Sequence, residues 1–169
     1  MTLEFAVDYD HKLSALMRKA MLDEKYKFYF YSSYFRYDTD VPKDSWNHLQ
    51  MVSVKNDEVI GLLGAYIDRE TRNVTDLYAI NFFDINYTFS KDFRKFLAEL
   101  FDRYGFNKVS FKVIKGNDAE KMYDKYIEKY NGRVVGYRKN EIMLSDGQYY
   151  DDKLYEITKE DYLKSKGAL

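Results

Sequence analysis

A single α/β domain, with a central twisted mixed β-sheet of about seven strands and about four helices on its faces, is predicted by three observations on the sequence. Two apolar runs, residues 48–55 and 58–68, are separated only by Asn56-Asp57, a pair suited to a tight hairpin. Residues 74–87, 90–104 and 108–114 then read as strand, helix and strand, the order of a right-handed parallel crossover. No Gly/Ser-rich or Pro-rich stretch and no repeat interrupts the 169 residues, so 1–169 read as one domain.

The remaining elements follow in chain order. Residues 2–8 alternate loosely as a first strand, and Leu13, Leu16, Met17 and Ala20 fall at helical spacing within 10–22. The aromatic segment 24–36 continues from that helix and is read as a second one. Residues 74–87 are rich in β-formers and make a third long strand after the hairpin. Phe93, Phe96, Leu97, Leu100 and Phe101 line one face of the helix at 90–104, which Gly105 ends. Alternation in Lys108–Ile114 marks the next strand. A helix then opens at Asn117 or Asp118 and stops at Asn131-Gly132. Two final strands, 133–144 and 149–157, flank the turn Ser145-Asp146-Gly147.

Composition removes several functional classes. With 27 basic against 28 acidic residues, no net charge favours nucleic acid or a membrane surface as partner. The absence of cysteine excludes disulfides, thiolate nucleophiles and Cys-ligated zinc. His11 and His48, the only histidines, are far apart in sequence, and a lone histidine is more often structural than a ligand, so no metal is expected. There is no Gly-x-Ser-x-Gly elbow, Walker loop or Gly-x-Gly-x-x-Gly loop. The start of the chain lacks a basic region followed by an apolar core, and no apolar run approaches the roughly 20 residues that cross a bilayer, so a cytoplasmic protein is expected. The 18 tyrosines accompany abundant Lys, Asn, Phe and Ile, a bias that weakens any single tyrosine as evidence of function.

The C-terminal third carries motifs in a telling order. Val113-Ile114-Lys115-Gly116-Asn117 is a strand followed by Gly-Asn, and Tyr123 lies on the helix beyond it. Gly132–Arg138 supplies the next strand, and Leu144-Ser145-Asp146-Gly147-Gln148-Tyr149-Tyr150-Asp151 the closing hairpin. In this order the chain resembles the GNAT superfamily of acyl-CoA-dependent N-acetyltransferases, over about residues 48–157. The resemblance implies two splayed parallel strands that take the pantetheine arm of acetyl-CoA between them, and direct attack of a primary amine on the thioester. Backbone amides of Ile85, Asn86 and Tyr87 would then polarise the carbonyl, Asn117 would hold the pantetheine, and Tyr123 would protonate the leaving thiolate. The amine acceptor is a small molecule or a protein, and a homodimer is open to the chain as it is to the family.

Two departures from the family pattern stand out. Tyr123 lies six residues after Asn117 where the family usually has seven, a difference of about 100° around a helix, so Tyr126 is kept as a substitute. The family's glycine-rich phosphate loop aligns with Thr88–Lys95, which contains no glycine and carries Asp92 where one is expected. A carboxylate there would repel pyrophosphate. Against this, Ser90 is read as a helix cap, and Lys91, Arg94 and Lys95 stand where a helix start normally favours acids, as an arriving anion would require; a solvated charged face explains them equally well. For the base that takes the amine proton, Asp84 is preferred over Asp76 and Glu58 because it lies near the reacting end of the first splayed strand, although each acid taken singly reads more simply as solvent-facing. Residues 26–37 read first as core and second as an acceptor wall. Three readings result: an N-acetyltransferase, a GNAT-like interaction module that has lost its cofactor, or an unrelated mixed α/β domain.

Overall fold

The computed structural model describes residues 3–31, 46–83 and 87–167. Among them are seven strands, β1 (Leu3–Phe5), β2 (His48–Lys55), β3 (Glu58–Asp68), β4 (Asn73–Asn81), β5 (Lys108–Ile114), β6 (Arg133–Met143) and β7 (Tyr149–Thr158). Four α-helices accompany them, α1 (Asp10–Met21), α2 (Tyr87–Asp102), α3 (Ala119–Lys129) and α4 (Lys159–Ser165). The strands form one mixed sheet in the order β1-β2-β3-β4-β5-β7-β6.

Local chemistry sets most boundaries. Asn56 and Asp57 both take positive φ (52° and 63°), the geometry that matches a two-residue turn to the twist of its strands. Gly105 (φ 67°) ends the region after α2, where the Phe106 amide reaches back to the Leu100 carbonyl. Asn131 (φ 54°) turns the chain out of α3, and the Gly132 amide closes onto Ile127. Helix α4, which the sequence reading omits, has a legible start: the Thr158 side chain accepts from the Asp161 amide at 3.1 Å.

Two cores cover the two faces of the sheet. On one, α2, α3 and α4 bury Phe93, Phe96, Leu97, Leu100, Phe101, Tyr123 and Tyr162 against Leu63, Ala65, Leu77 and Phe111. On the other, α1 and the segment after it place Leu13, Ala20, Met21, Tyr26 and Phe30 over Val52, Val54, Leu62 and Ile80. Burial of each such side chain contributes about 1.5–3 kcal/mol, so the cores rather than polar pairs hold the layers together. Strand β3 adapts to both cores through glycine. A Cβ on Gly61 would meet the Phe89 ring at 2.2 Å on the α2 side, and one on Gly64 would meet the Tyr78 ring at 2.0 Å on the other.

Three expectations are corrected. The strand read as 74–87 ends at Asn81, and Tyr87 opens α2 instead of extending the strand. Because α2 begins at Tyr87, Ser90 lies inside its first turn and is not the cap. Phe89 seated on Gly61 and Asp92 bonded to Ser53 anchor that early start. Where a helix was expected over 24–36, residues 24–26 form a 3-10 turn, and positions 32–36 lie outside the described residues. Strand β6 is exposed along nearly its whole length, with register shifts after Val134 and after Arg138. Among the described residues, no helix is long and apolar enough to cross a membrane.

Candidate active site

The parallel strands β4 and β5 pair only at their first residues, Asn73 with Lys108 and Val74 with Val109. Beyond that point they part. A bulge explains where: Tyr66 of β3 pairs with Asp76 and Ile67 with Val74, leaving Thr75 as the extra residue that bends β4 just past its last contact with β5. The facing backbone edges of the two strands are left without ladder partners, and an extended, amide-bearing ligand is the complement of such an edge.

A cavity of about 410 Å³ fills the gap and spreads under the N-terminal segment. Leu77 to Ile80 of β4 and Lys112 to Ile114 of β5 form its walls, with Asn117 and Tyr123 at the β5 end. Phe28, Tyr29 and Tyr31 cover it, and His48, Gln50 and Tyr66 extend its floor. Part of the aromatic segment is thus cavity wall, Tyr26 is core, and Phe30 belongs to both.

Asn117 is held at both ends of its role. Its Oδ1 accepts from the Ala119 amide (3.0 Å), which starts α3, and from the Tyr29 hydroxyl (3.2 Å). With the oxygen so engaged, its side-chain NH₂ is left to face the cavity it lines. Tyr123 is buried among Phe93, Phe111 and Tyr155, and its hydroxyl has no hydrogen-bond partner among the described residues. Burial pushes that hydroxyl well above the ordinary phenol range, so it keeps its proton at neutral pH.

The spacing question is answered by the neighbours of Tyr123. Asp124 turns away from the cavity to bind Lys153 (2.7 Å) and Tyr155 (2.8 Å) on β7, and Tyr126 packs on Phe93 and Tyr130. Of the two tyrosines considered, Tyr123 is the one that lines the cavity.

Among the candidate bases, Asp76 lines the cavity, whereas Glu58 stands at the exposed hairpin end of β3. Burial raises the Asp76 carboxyl above its usual range, with the nearby Lys112 charge opposing. Lys112 also faces Asp152 at 3.7 Å, a fully buried carboxylate without a hydrogen-bond partner among the described residues. Asp84, Ile85 and Asn86 lie outside the described residues. Tyr87, expected among the carbonyl-polarising strand residues, is an exposed helix residue.

Solved structures similar to this chain include acetyltransferases. A chimera of the spermidine N-acetyltransferase SpeG from Vibrio cholerae and hSSAT superposes with a TM-score of 0.71 at 16% identity, over 97% of this chain and 99% of that one. A GCN5-related N-acetyltransferase from Brucella melitensis gives 0.67 at 15%, over 98% and 78%. A further acetyltransferase structure gives 0.58 at 20% identity, over 75% of this chain but 66% of that one, just under two thirds of its length. No protein-family model and no curated protein matches the sequence. The chain has the GNAT fold. The splay between β4 and β5 removes the unrelated α/β domain from consideration.

The helix start expected, from the resemblance, to meet phosphate is that of α2. It carries no acid in its first turn. Asp92, feared as a repulsive group, is 1% exposed and turned inward, accepting from Ser53 Oγ on β2 at 2.6 Å. Lys91 is exposed and Arg94 half-exposed, neither with a carboxylate partner among the described residues, while Lys95 lies 3.7 Å from Glu99 one turn on. The cavity floor of His48, Gln50, Tyr66 and Tyr78 escaped the sequence reading, although the interior glycine Gly64 signalled a close approach on β3.

Proposed function

We propose that this chain is a cytoplasmic acetyl-CoA-dependent N-acetyltransferase that passes an acetyl group to a primary amine by direct attack. The observation that carries the reading is the cleft between β4 and β5, flanked at one end by Asn117 and Tyr123. The free amide edges of the strands and the Asn117 side chain suit the two amides of a pantetheine arm. Exposed amides at the start of α2, with Ser90, Lys91, Arg94 and Lys95, suit a pyrophosphate.

The chemistry asks little more of the protein. The amine nitrogen bonds to the thioester carbon, the carbonyl oxygen gains charge, and the carbon–sulfur bond then breaks. Backbone amides on the β4 side are suited to receive that charge: Leu77–Ile80 along the described wall, and Ile85 and Asn86 where the resemblance puts them. Tyr123 donates its proton to the departing sulfur. Spermidine is the first amine to try, since SpeG is named for it.

One observation favours a second reading, a GNAT-fold interaction module. The first turn of α2 has side chains throughout, Tyr87 and Lys91 among them, where a glycine loop would let phosphate approach the backbone. Calorimetric titration with acetyl-CoA, CoA and ADP separates the two. Micromolar binding of acetyl-CoA, about −8 kcal/mol, supports the enzyme. No binding at millimolar ligand overturns it and leaves the module.

A further inference from the structure

Within the acetyltransferase reading, we propose that His48, acting through the Tyr78 hydroxyl, takes up the proton that the acceptor amine releases, and that Gln50 sets the direction of this relay. Three strands bring the groups together. Gln50, Gly64 and Tyr78 are register partners across β2, β3 and β4, and His48 lies two residues before Gln50 on the same face. Because position 64 has no Cβ, the Tyr78 ring lies down over β3 and its hydroxyl reaches β2. There Gln50 Nε2 is 2.7 Å away and His48 Nε2 2.8 Å away.

The direction of these bonds follows from what each group can give. The Gln50 NH₂ only donates, so Tyr78 Oη accepts from it. For the relay the single hydroxyl proton of Tyr78 points to His48 Nε2, which requires the tautomer that carries its ring proton on Nδ1. Tyr78 Oη keeps one lone pair for a donor in the cavity, the position an ammonium would take. Burial holds the Tyr78 phenol well above its ordinary range, so it transmits a proton by gaining one as it loses one and does not rest as phenolate.

Protons balance with two exits. Converting an ammonium to an amide strips two protons from nitrogen. One replaces the proton that Tyr123 gives to sulfur, and the other passes through Tyr78 to His48 and on to solvent. Groups facing His48 include Tyr66 of β3, its ring centroid stacked at 4.3 Å, and Tyr78 of β4, which Gln50 of His48's own strand also contacts. The charged groups of the same cavity are Asp76 of β4 and Lys112 of β5. Asp76 is the rival acceptor, but one of its oxygens already accepts from the Leu77 amide and its charge faces Lys112.

The test compares His48→Gln, Tyr78→Phe and Asp76→Asn with the full-length wild type, using acetyl-CoA with spermidine, tyramine and a lysine peptide as acceptors. Glutamine at 48 still accepts a hydrogen bond from Tyr78 but cannot take a proton. His48→Gln and Tyr78→Phe are each expected to lower kcat about a hundredfold, with acetyl-CoA affinity changed less than twofold. Wild-type kcat/KM falls as pH drops through one imidazole ionisation, and His48→Gln abolishes that limb. A second measurement needs no turnover: ¹⁵N spectra of the substrate-free protein should show the His48 proton on Nδ1, with the Nε2 signal moving in Tyr78→Phe. A proton resident on Nε2, an acid limb lost in Asp76→Asn but kept in His48→Gln, or full turnover in His48→Gln overturns the relay while leaving the acetyltransferase reading intact. Wild-type protein that binds no acetyl-CoA removes that reading, and the relay with it.

Discussion

The cleft between β4 and β5 and the start of α2 are neighbouring parts of one GNAT fold, yet they are built to different standards. Cleft residues are buried or partly buried and fixed by partners: Asn117 by Ala119 and Tyr29, Tyr78 by Gln50 and His48, Tyr123 by three rings. At the helix start the buried residues, Phe89 and Asp92, face inward to anchor the helix, and the outward ones are exposed or mobile-chained cations. Rigid groups can favour one geometry along a reaction, whereas a loose cationic rim offers mainly screened attraction. In the proposed acetyltransferase, the chemistry therefore belongs to the cleft and affinity alone to the rim.

That contrast can be broken by substitution. Tyr123→Phe has the largest expected effect, a loss of about a hundredfold in kcat with acetyl-CoA binding nearly unchanged, read by steady-state kinetics beside calorimetry. Unaltered turnover would move proton donation to water. Next comes Gly64→Ala, whose new methyl displaces the Tyr78 ring. A stability loss of about 1–3 kcal/mol is expected in urea unfolding, together with loss of the Tyr78–His48 hydrogen bond. The smallest effect belongs to the rim. Replacing Lys91, Arg94 and Lys95 together by alanine should weaken CoA binding only several-fold and flatten its dependence on salt, in keeping with exposed charges worth under about 1 kcal/mol each. A loss of a hundredfold or more there would erase the distinction between cleft and rim.

Much of the architecture was legible because its signals are local. Asn56-Asp57, Gly105 and Asn131-Gly132 mark turns through the backbone conformations they tolerate, and each lies at a turn or helix end. The end of β4 was not legible, since Phe82 and Phe83 continue a β-forming composition past Asn81 and neither glycine nor proline breaks the run; Asn86, a residue type suited to a helix cap, was read as strand. What starts that helix at Tyr87 is tertiary: Phe89 in the seat left by Gly61 and Asp92 on Ser53, contacts from residues 28 and 39 positions away. The candidate site divides in the same way. Asn117 and Tyr123 sit on one short strand-to-helix unit, so a motif could carry them, whereas His48, Gln50 and Tyr78 meet only once the register of three strands is known. A histidine that reads as isolated along the chain meets the Tyr78 hydroxyl and the stacked Tyr66 ring across the sheet.

Strand β6 has a consequence for how the molecule lives among copies of itself. An eleven-residue strand exposed at the border of a sheet is an invitation to open-ended strand addition in a crowded solution. Here the border is interrupted twice, after Val134 and after Arg138, and Arg133, Arg138 and Lys139 stud it with positive charge. Interruptions of this kind deny an incoming strand the long, flat run it would need, although Val134, Val135 and Tyr137 leave apolar side chains exposed along the border.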